Sequence, residues 1–370
     1  MAWTSYQVLL AVVMVTTGSI NTLTTKWADK LDAKGSDGKS RPFDHPFVQS
    51  ACMFLGEFLC LVVFKTLFFV YSRRADGTVE TNTITAGSQE FSPFILFPAA
   101  MCDMIGTSLM YVGLNLTNPS SFQMLRGSVI VFVALLSVAF LRRQIVWRQW
   151  LGIAFVILGL AVVGFSDFQN SSGSDNNNEI TGDLIIVIAQ IITATQMVYE
   201  EKFVNTKNIP PLQAVGWEGL FGLVVTGLLL IPFYFIHVPE RFGDNAHGVL
   251  EDLPDALIQM GNNKLIIVSL IGTIISIAFF NFAGISVTKE LSATTRMILD
   301  SVRTLVIWGF SLIVKWQGFH ILQIPGFILL ILGMCIYNNL LPSLRSVVRC
   351  FDRRSNSEVL IDSEATPNRD

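Results

Sequence analysis

The sequence predicts an all-α membrane protein with ten transmembrane helices, arranged as two inverted repeats of five helices each. Three observations predict this fold class: the composition, ten long apolar segments, and short matches between the two halves of the chain. The 370 residues are 51% hydrophobic and only 14% charged, and their mean hydropathy is +0.54. Soluble domains carry about a quarter charged residues, so this composition indicates an integral membrane protein.

Charge and motif content argue against several classes of function. The net charge is −3 and the chain has no block of basic residues, so nucleic acid is not an expected partner. The five cysteines form neither a CxxC pair nor a metal-ligand spacing, and no glycine-rich phosphate loop is present. No nucleophile, base and orienting group cluster in the sequence. We therefore expect no enzyme activity, no metal and no cofactor.

The ten spans follow from length and hydropathy, because a membrane-spanning helix needs about 20 mostly apolar residues. The first run is expected to be a retained helix, since it lacks the basic start and the cleavage site of a signal peptide. The predicted spans are roughly 5–25, 46–71, 93–115, 119–141, 147–167, 181–201, 212–236, 264–288, 291–314 and 320–341. We divide the chain into a first repeat (1–167), a polar loop (168–180), a second repeat (181–341) and a cytosolic tail (342–370).

Short matches relate the two halves. Gly152 and Gly159 of one glycine-flanked run correspond to Gly326 and Gly333 of another, 174 residues later, and the triplet IGT at 105–107 recurs at 271–273. Five spans is an odd number, so the second repeat must enter the membrane from the opposite side. This plan is typical of secondary transporters, whose site lies near the midplane between the repeats.

Basic residues outside the spans predict the orientation. With both termini in the cytosol, thirteen Lys and Arg residues lie on the inner side and eight on the outer side. The triplet NSS at Asn170 then lies in the polar loop on the outer or lumenal side, where it is a glycosylation acceptor.

Charged residues interrupt the apolar sequence around the ninth span. Lys289, Arg296 and Arg303 are spaced by seven residues, so they are predicted to lie on one helical stripe, with Asp300 within reach of both arginines. A charge at the bilayer centre costs about 2.5–3.5 kcal/mol even on the mildest scale. The stripe must therefore face protein or water.

Other spans supply polar partners for that stripe. They carry Glu57, Asp103, Arg126 and Glu218, with Gln123 near Arg126, and the sixth span adds Gln190, Thr193, Gln196 and Glu200 at helical spacing. Two interpretations stay open for the near-balanced charges: a salt-bridge network that orders the bundle, or a site for an anionic ligand. Glu57 and Asp103 are candidate proton carriers. Glu200 and Glu201 are expected to be a solvated or helix-capping pair at a span end.

Several segments of the sequence, taken together, resemble a known group of membrane proteins. The segments SINTLTTKWAD (19–29), CDMIGTSLMYVGLN (102–115), SSFQMLRG (120–127) and FFNFAGISVTKELSATTRMILDS (279–301) resemble the drug/metabolite transporter superfamily, and within it the F branch of solute carrier family 35. The resemblance covers about residues 1–341. It implies a fold of ten helices, a nucleotide-sugar-like substrate, and a role for Lys289 in holding phosphates at the hairpin before the ninth span.

These observations together predict a secondary transporter that carries a nucleotide-sugar or a related phosphorylated organic anion by alternating access. The expected substrate-binding residues are Lys289, Arg296, Arg303, Arg126, Asp300 and Gln123, and the expected proton-coupling residues are Glu57 and Asp103. Two alternatives remain: a proton-coupled transporter of a small neutral or cationic metabolite, and a membrane scaffold that binds partner proteins.

The expected partners and location follow from the same interpretation. The partners are a small anionic molecule and the lipid bilayer, while protein partners and a homodimer are left open. The tail segment NSEVLID (356–362) resembles an incomplete di-leucine sorting signal. It favours the lysosomal membrane, with the Golgi next and the mitochondrion as the alternative.

Overall fold

The structure is a computed structural model that describes residues 4–74, 86–88, 90–116, 122, 125–142, 144, 146–170, 176–238, 245, 247–313 and 323–337. These residues are mostly helical. The α-helices are α1 (Ser5–Asp29), α2 (Pro46–Arg74), α3 (Phe97–Leu116), α4 (Val129–Leu141), α5 (Trp147–Asn170), α6 (Asn176–Thr206), α7 (Pro211–Phe233), α8 (Leu253–Asn262), α9 (Lys264–Glu290), α10 (Ala293–Ile313) and α11 (Gln323–Tyr337). Two short strands, β1 (Asp32–Lys34) and β2 (Ser40–Pro42), pair antiparallel, and 3₁₀ turns at Pro93–Leu96 and Arg126–Ser128 precede α3 and α4.

Six helices in the described part of the chain are long and apolar enough to cross a membrane: α1, α2, α3, α6, α7 and α9. Large apolar side chains on their outer surfaces are exposed, for example Leu9, Phe69 and Leu228. In an aqueous protein such a surface is an interaction site, whereas in a bilayer it faces lipid. The chain is therefore an all-α membrane protein, as the composition predicts.

Glycines let α2 and α7 approach closely. Gly216, Gly219 and Gly222 recur every three residues along α7, and a methyl group added at any of them would overlap α2. At Gly219 the overlap is with the Glu57 side chain and the Phe58 backbone. Small residues at this spacing are the usual means by which membrane helices bring their backbones together.

Two further helix pairs meet through reciprocal glycine contacts. On α5 and α11, a methyl group at Gly152 would lie 2.8 Å from the Gly333 carbonyl oxygen, and one at Gly333 would lie 2.7 Å from the Gly152 carbonyl oxygen. On α3 and α6, Gly113 and Gly182 face each other in the same way, at 3.1 and 3.0 Å. Elsewhere α1 packs along α9, and α4 packs against both α6 and α10.

A polar cap covers one end of the bundle. We define the cap as residues 30–45, which join α1 to α2, together with the described residues between 245 and 263, which join α7 to α9. It holds the β1–β2 hairpin and α8, neither of which the sequence analysis anticipated. Asn262 and Asn263 donate side-chain hydrogen bonds to the backbone oxygens of Lys34 and Asp32, so α8 is fastened to the hairpin.

Buried carboxylates organise the interior of the cap. Glu251 accepts hydrogen bonds from the backbone of Phe47 at the start of α2 (2.8 Å) and contacts the ring of His45 (2.7 Å). Asp255 accepts the backbone N–H of Ser36 at 2.5 Å and lies 3.7 Å from His45. Burial raises the pKa of Asp255, but the hydrogen bonds from Ser36, the charge of His45 and the hydrogen bond from Gln259 together leave that pKa below its usual value. The cap therefore ties the α1–α2 connection to the α7–α9 connection.

One predicted boundary differs from the structure. The polar loop expected at 168–180 is shorter, because α5 continues to Asn170 and α6 begins at Asn176. In the fourth predicted span, residues 122 and 125 are helical and the 3₁₀ turn at Arg126–Ser128 follows them and leads into α4. The tail from 342 lies outside the described residues.

Two glycines of α7 give a matched test of the close packing. We expect Gly219→Ala to destabilise the protein by about 1–3 kcal/mol, because the added methyl group overlaps α2. Gly227→Ala is the control, since nothing lies within 4 Å of the added atom and alanine favours a helix by about 1 kcal/mol over glycine. Thermal melting in detergent should separate the two variants, and equal melting temperatures would contradict the close contact.

A second prediction concerns the pH dependence of the cap. The hydrogen bond to the buried Asp252 carboxylate raises the pKa of His247 above its ordinary value of 6.5, and the charge of that carboxylate raises it further. The stability contributed by this pair is therefore fully present below pH 6.5 and lost as the pH rises through the raised pKa. We expect His247→Gln to lower the melting temperature at pH 5.5 and to have a smaller effect at pH 8.5. The same difference at both pH values would show that the pair does not act as described.

Candidate functional site

A cavity of about 460 Å³ lies inside the bundle, enclosed by α1, α2, α3, α6, α7, α9 and α10 and by the turn before α4. Its volume is that of a small-molecule site. At one end its walls include Asp29 and Lys30, which are exposed where α1 meets the cap, and at the other end they include buried Glu218 and Arg296. The cavity therefore opens at the cap and ends deep in the bundle.

Arg296 lies at the deep end and forms a buried ion pair. Its guanidinium contacts the Glu200 carboxylate of α6 at 2.5 Å, and the two residues are only 4% and 0% exposed. Gly284 of α9 makes room for the arginine, because a methyl group there would lie 2.9 Å from Arg296 Nε. The ion pair thus joins α10 to α6 across the packing surface of α9.

Three more carboxylates surround this ion pair. Glu57, Asp103 and Glu218 each interact electrostatically with Arg296 and also with Glu200. The Asn281 amide donates to Glu57, and the Thr107 hydroxyl donates to Asp103 at 3.4 Å. Within the described residues, the buried Glu218 Oε1 has no hydrogen-bond partner. The deep end therefore holds four carboxyl groups around one guanidinium, more acids than a single base can balance.

Arg303 lies two turns further along α10. It contacts Asp300 at 2.7 Å, as the three-residue spacing predicts, and its guanidinium lies 4.8 Å from the centre of the Phe280 ring. Its Nη1 also donates to the Gly18 carbonyl of α1 at 3.4 Å. Gly18 provides the space, since a methyl group there would lie 2.5 Å from Arg303 Cδ.

Arg126 is the third arginine of the cavity wall. It is half-buried on the turn before α4, and its guanidinium lies 5.8 Å from the centre of the Phe122 ring. Across the described part of the chain it forms no ion pair with a carboxylate, unlike Arg296 and Arg303. Arg126 and Arg303 also interact electrostatically with each other. This part of the cavity therefore has a surplus of positive charge.

The end of the bundle opposite the cap is closed around the turn between α9 and α10. Lys289 Nζ donates to the Ile209 carbonyl at 3.1 Å, and the backbone N–H of Ala293 donates to Glu201 at 3.1 Å. Lys289 lines a separate cavity of about 370 Å³, shared with Tyr6 and Pro211. Because Lys264 begins α9 next to the cap and Glu290 ends it, this second cavity lies at the far end from the cap.

The structure brings most of the predicted site residues together but separates one of them. Glu57, Asp103, Arg126, Arg296, Asp300 and Arg303 all line the central cavity. The predicted stripe that includes Lys289 is wrong, because α9 ends at Glu290 and α10 begins at Ala293, so Lys289 belongs to a different helix. Gln123 lies outside the described residues, and so does the side chain of Asn170.

Two acids at the end of α6 are buried, and one further amide belongs to the site. Glu200 and Glu201 are predicted to be solvated or to cap a helix, and both are buried. Glu200 pairs with Arg296, whereas Glu201 accepts the backbone N–H of Ala293, the first residue of α10, which is a helix-capping contact. Asn281 was not singled out, although an isolated amide in the apolar run AFFNFAG is itself a signal of a buried hydrogen bond. Among the residues that the structure describes, no group of three or more His, Cys, Asp or Glu side chains is arranged to hold a metal ion.

Because acids outnumber bases around the Arg296–Glu200 pair, replacing Arg296 should cost more stability than replacing Glu200. Arg296→Gln leaves four buried carboxylates without a base, so we expect it to destabilise the protein by about 3–5 kcal/mol. Glu200→Gln leaves Arg296 among three other carboxylates, so its cost should be at least twofold smaller. Melting temperatures in detergent give the comparison. Equal losses for the two variants would mean that Glu57, Asp103 and Glu218 do not share the charge of Arg296.

Comparison with known proteins identifies the family. A sequence profile of the family described as "Solute carrier family 35" (SLC35F) matches residues 39–238. "Solute carrier family 35 member F6" of Homo sapiens is 53% identical over 376 residues, covering 100% of each chain. "Probable UDP-sugar transporter protein SLC35A4" of Xenopus tropicalis is 28% identical and covers 49% of this chain and 55% of its own length.

One solved structure supports the same fold. It is titled only "Crystal structure of protein", it matches with a TM-score of 0.55 over 92% of this chain and 99% of its own, and it is 12% identical. The profile match and the 53% identity decide the family. The chain belongs to the F branch of solute carrier family 35, a family of membrane transporters.

Proposed function

We propose that this protein is a secondary transporter that carries a small organic anion by alternating access, with the central cavity as its substrate site. Membership of a transporter family supports transport as the activity, rather than an enzymatic reaction or a scaffold. The cavity opens at the cap and is closed at the other end by the contacts of Lys289 and Glu201. An alternating-access cycle needs one such half-open state and its opposite.

The pairing of helices supports ten spans in two inverted repeats. Two inverted repeats would be related by a two-fold rotation that exchanges equivalent helices: α1 with α6, α2 with α7, α3 with α9, α4 with α10 and α5 with α11. Under this rotation, three helix pairs would each map onto themselves: α2–α7, α4–α10 and α5–α11. The pair α1–α9 would map onto α6–α3. All five of these pairs are in contact. This pattern is what a pseudo-two-fold relation between the halves requires, and the cavity lies between them.

The anion assignment rests on which of the three arginines in the cavity wall has a carboxylate partner. Arg296 is paired with Glu200 and Arg303 with Asp300, whereas Arg126 has no carboxylate partner among the described residues. A guanidinium presents donors in a fixed fork that suits phosphate and carboxylate groups. We therefore assign Arg126 as the main anion ligand, supported by Arg303 beside it.

Phosphorylated anions are the first substrates to test, and among them nucleotide-sugars are the specific class that we propose. The Xenopus relative named as a probable UDP-sugar transporter supports this choice. Asp300 has an orienting role in this scheme, because it fixes the guanidinium of Arg303. Lys289 lies at the closed end of the bundle, so it would contact the phosphate of a substrate only after that end opens.

Proton coupling is a second candidate function, and the surplus of acid at the deep end favours it. Glu57 and Asp103 lie among carboxylates that one guanidinium cannot balance. Protons bound there from the open side would lower the negative charge before the cavity closes. A proton-coupled transporter accumulates substrate in liposomes along an imposed pH gradient, and Glu57→Gln should abolish that accumulation while leaving exchange at equal pH.

The proposal also includes the orientation of the protein in the membrane and its location in the cell. We propose that both termini face the cytosol, so that Asn170 at the end of α5 faces a lumen, and that the protein resides in the lysosomal or Golgi membrane. The basic residues of the inner connections and the tail segment NSEVLID support these assignments. Loss of a glycan from Asn170→Gln, seen as a shift on a gel, would support the orientation, and a cytosolic tag signal from 171–175 would overturn it.

The anion assignment makes a specific prediction about Arg126. We expect Arg126→Gln to reduce the exchange of a nucleotide-sugar for its nucleotide in liposomes by tenfold or more, because a hydrogen bond to a charged group is worth about 1.5–3 kcal/mol. The melting temperature should change little, since no ion pair is broken. Arg73→Gln, at an exposed arginine near the end of α2, is the matched control and should transport normally.

The result that would contradict this assignment is also specific. Unchanged exchange by a folded Arg126→Gln protein would remove Arg126 from the site. No exchange by the unmodified protein with any nucleotide-sugar or nucleotide would exclude that substrate class, while transport of another organic anion that depends on Arg126 would keep the broader assignment.

A further inference from the structure

The central cavity is divided by charge, and this division bears on the substrate. Toward the deep end, the carboxylates of Glu57, Asp103 and Glu218 surround a guanidinium that Glu200 already balances. Nearer the turn before α4, Arg303 pairs with Asp300, while Arg126, whose charge acts on Arg303, forms no ion pair among the described residues. One cavity therefore presents an acidic end and a basic end to the same bound molecule.

Polar atoms in the wall of the deep end lack partners. Glu218 Oε1 and Gln190 Nε2 are fully enclosed atoms of side chains that are 6% and 3% exposed, and neither has a hydrogen-bond partner in the described structure. Both residues line the cavity. A buried polar group without a partner is costly, so each of these side chains would gain by turning this atom toward a polar ligand in the cavity.

An organic anion alone does not satisfy this wall. The part of the molecule remote from its anionic group would lie against carboxylates, which repel negative charge and find no donor on an apolar group. Protons would neutralise the carboxylates but would leave the space between them empty. An ammonium group supplies three donors and a positive charge from one point, so it can meet Glu218, Glu57 and Asp103 together.

We propose that the substrate is a zwitterion, a small organic anion that also bears an ammonium group. The ammonium binds at the deep end among Glu57, Asp103 and Glu218, and the anionic group binds at Arg126 and Arg303. This inference rests on the proposed function, because it names the substrate class of the same cavity. The deeper charge also gives the bound molecule a direction, with its cationic end away from the cap.

Matched pairs of compounds test the inference on the purified full-length protein. Phosphoethanolamine and ethyl phosphate share a phosphate and differ by the amine, and 4-aminobutyrate and butyrate share a carboxylate and differ in the same way. The measurement is the shift of the melting temperature with increasing compound, followed by uptake in liposomes. We expect the amine-bearing member of at least one pair to half-saturate at a concentration tenfold or more below that of its partner.

Variants separate the two ends of the cavity. Glu218→Gln should remove the preference for the amine, because a carboxamide has no charge to offer the ammonium, and it should fold because it lowers the surplus of buried charge. Glu57→Gln is a second variant of the same kind. Arg126→Gln should weaken both members of a pair equally. Glu90→Gln, at an exposed acid outside the cavity, is the control and should retain the preference.

The outcomes distinguish this inference from the proposed function. Equal responses to both members of each pair, abolished by Arg126→Gln, would overturn the zwitterion and leave an anion transporter whose deep acids carry protons. A preference for the amine that survives Glu218→Gln and Glu57→Gln would also overturn it. A response to amines that is indifferent to Arg126→Gln would overturn the proposed function instead, because the anionic group would then have no ligand.

Discussion

The arrangement of this protein depends on one buried ion pair, between Arg296 of α10 and Glu200 of α6. A lone guanidinium in an apolar bundle is costly, and its cost is offset only by a carboxylate close enough to share its charge. The pair requires α6 and α10 to meet, and it draws Glu57, Asp103 and Glu218 from three further helices toward the same point. The polar interior of the bundle is therefore organised around Arg296.

Glycines make this interior possible. Arg296 and Arg303 are long side chains on a helix that packs closely against its neighbours, and each is accommodated where the facing helix has a glycine, Gly284 for Arg296 and Gly18 for Arg303. The contacts of α2 with α7 and of α5 with α11 use the same device at Gly219 and Gly152. Close backbone approach replaces the hydrophobic effect as a source of helix association in lipid, where apolar packing against a neighbour gains little over packing against lipid.

The two ends of the bundle are built differently, and the difference gives the cavity its direction. The cap is an extramembrane structure with its own buried acids and histidine, and it joins the loops of α1–α2 and α7–α9 without covering Asp29 and Lys30. The opposite end is closed by a buried apolar cluster that includes Phe64 and Ile209, and by the contacts of Lys289 with Ile209 and of Glu201 with Ala293.

The sequence by itself determined the class of the protein, most helix positions and the main charged residues of the cavity. Apolar length decides whether a segment crosses a bilayer, and a charge in such a segment must turn inward, so Glu57, Asp103, Arg126 and Arg303 were predictable as an inward-facing group. The tertiary structure decided the partners. Spacing along one helix identified Asp300 as a partner of Arg303, but the partner of Arg296 lies 96 residues away, at Glu200 of α6. The sequence placed Glu200 on a polar stripe and at a span end, without showing which base it meets. A break of two residues at Leu291 and Ser292 removed Lys289 from the stripe. Pairing between helices depends on their relative rotation and depth, which side-chain packing sets, and no local pattern in the sequence encodes these quantities.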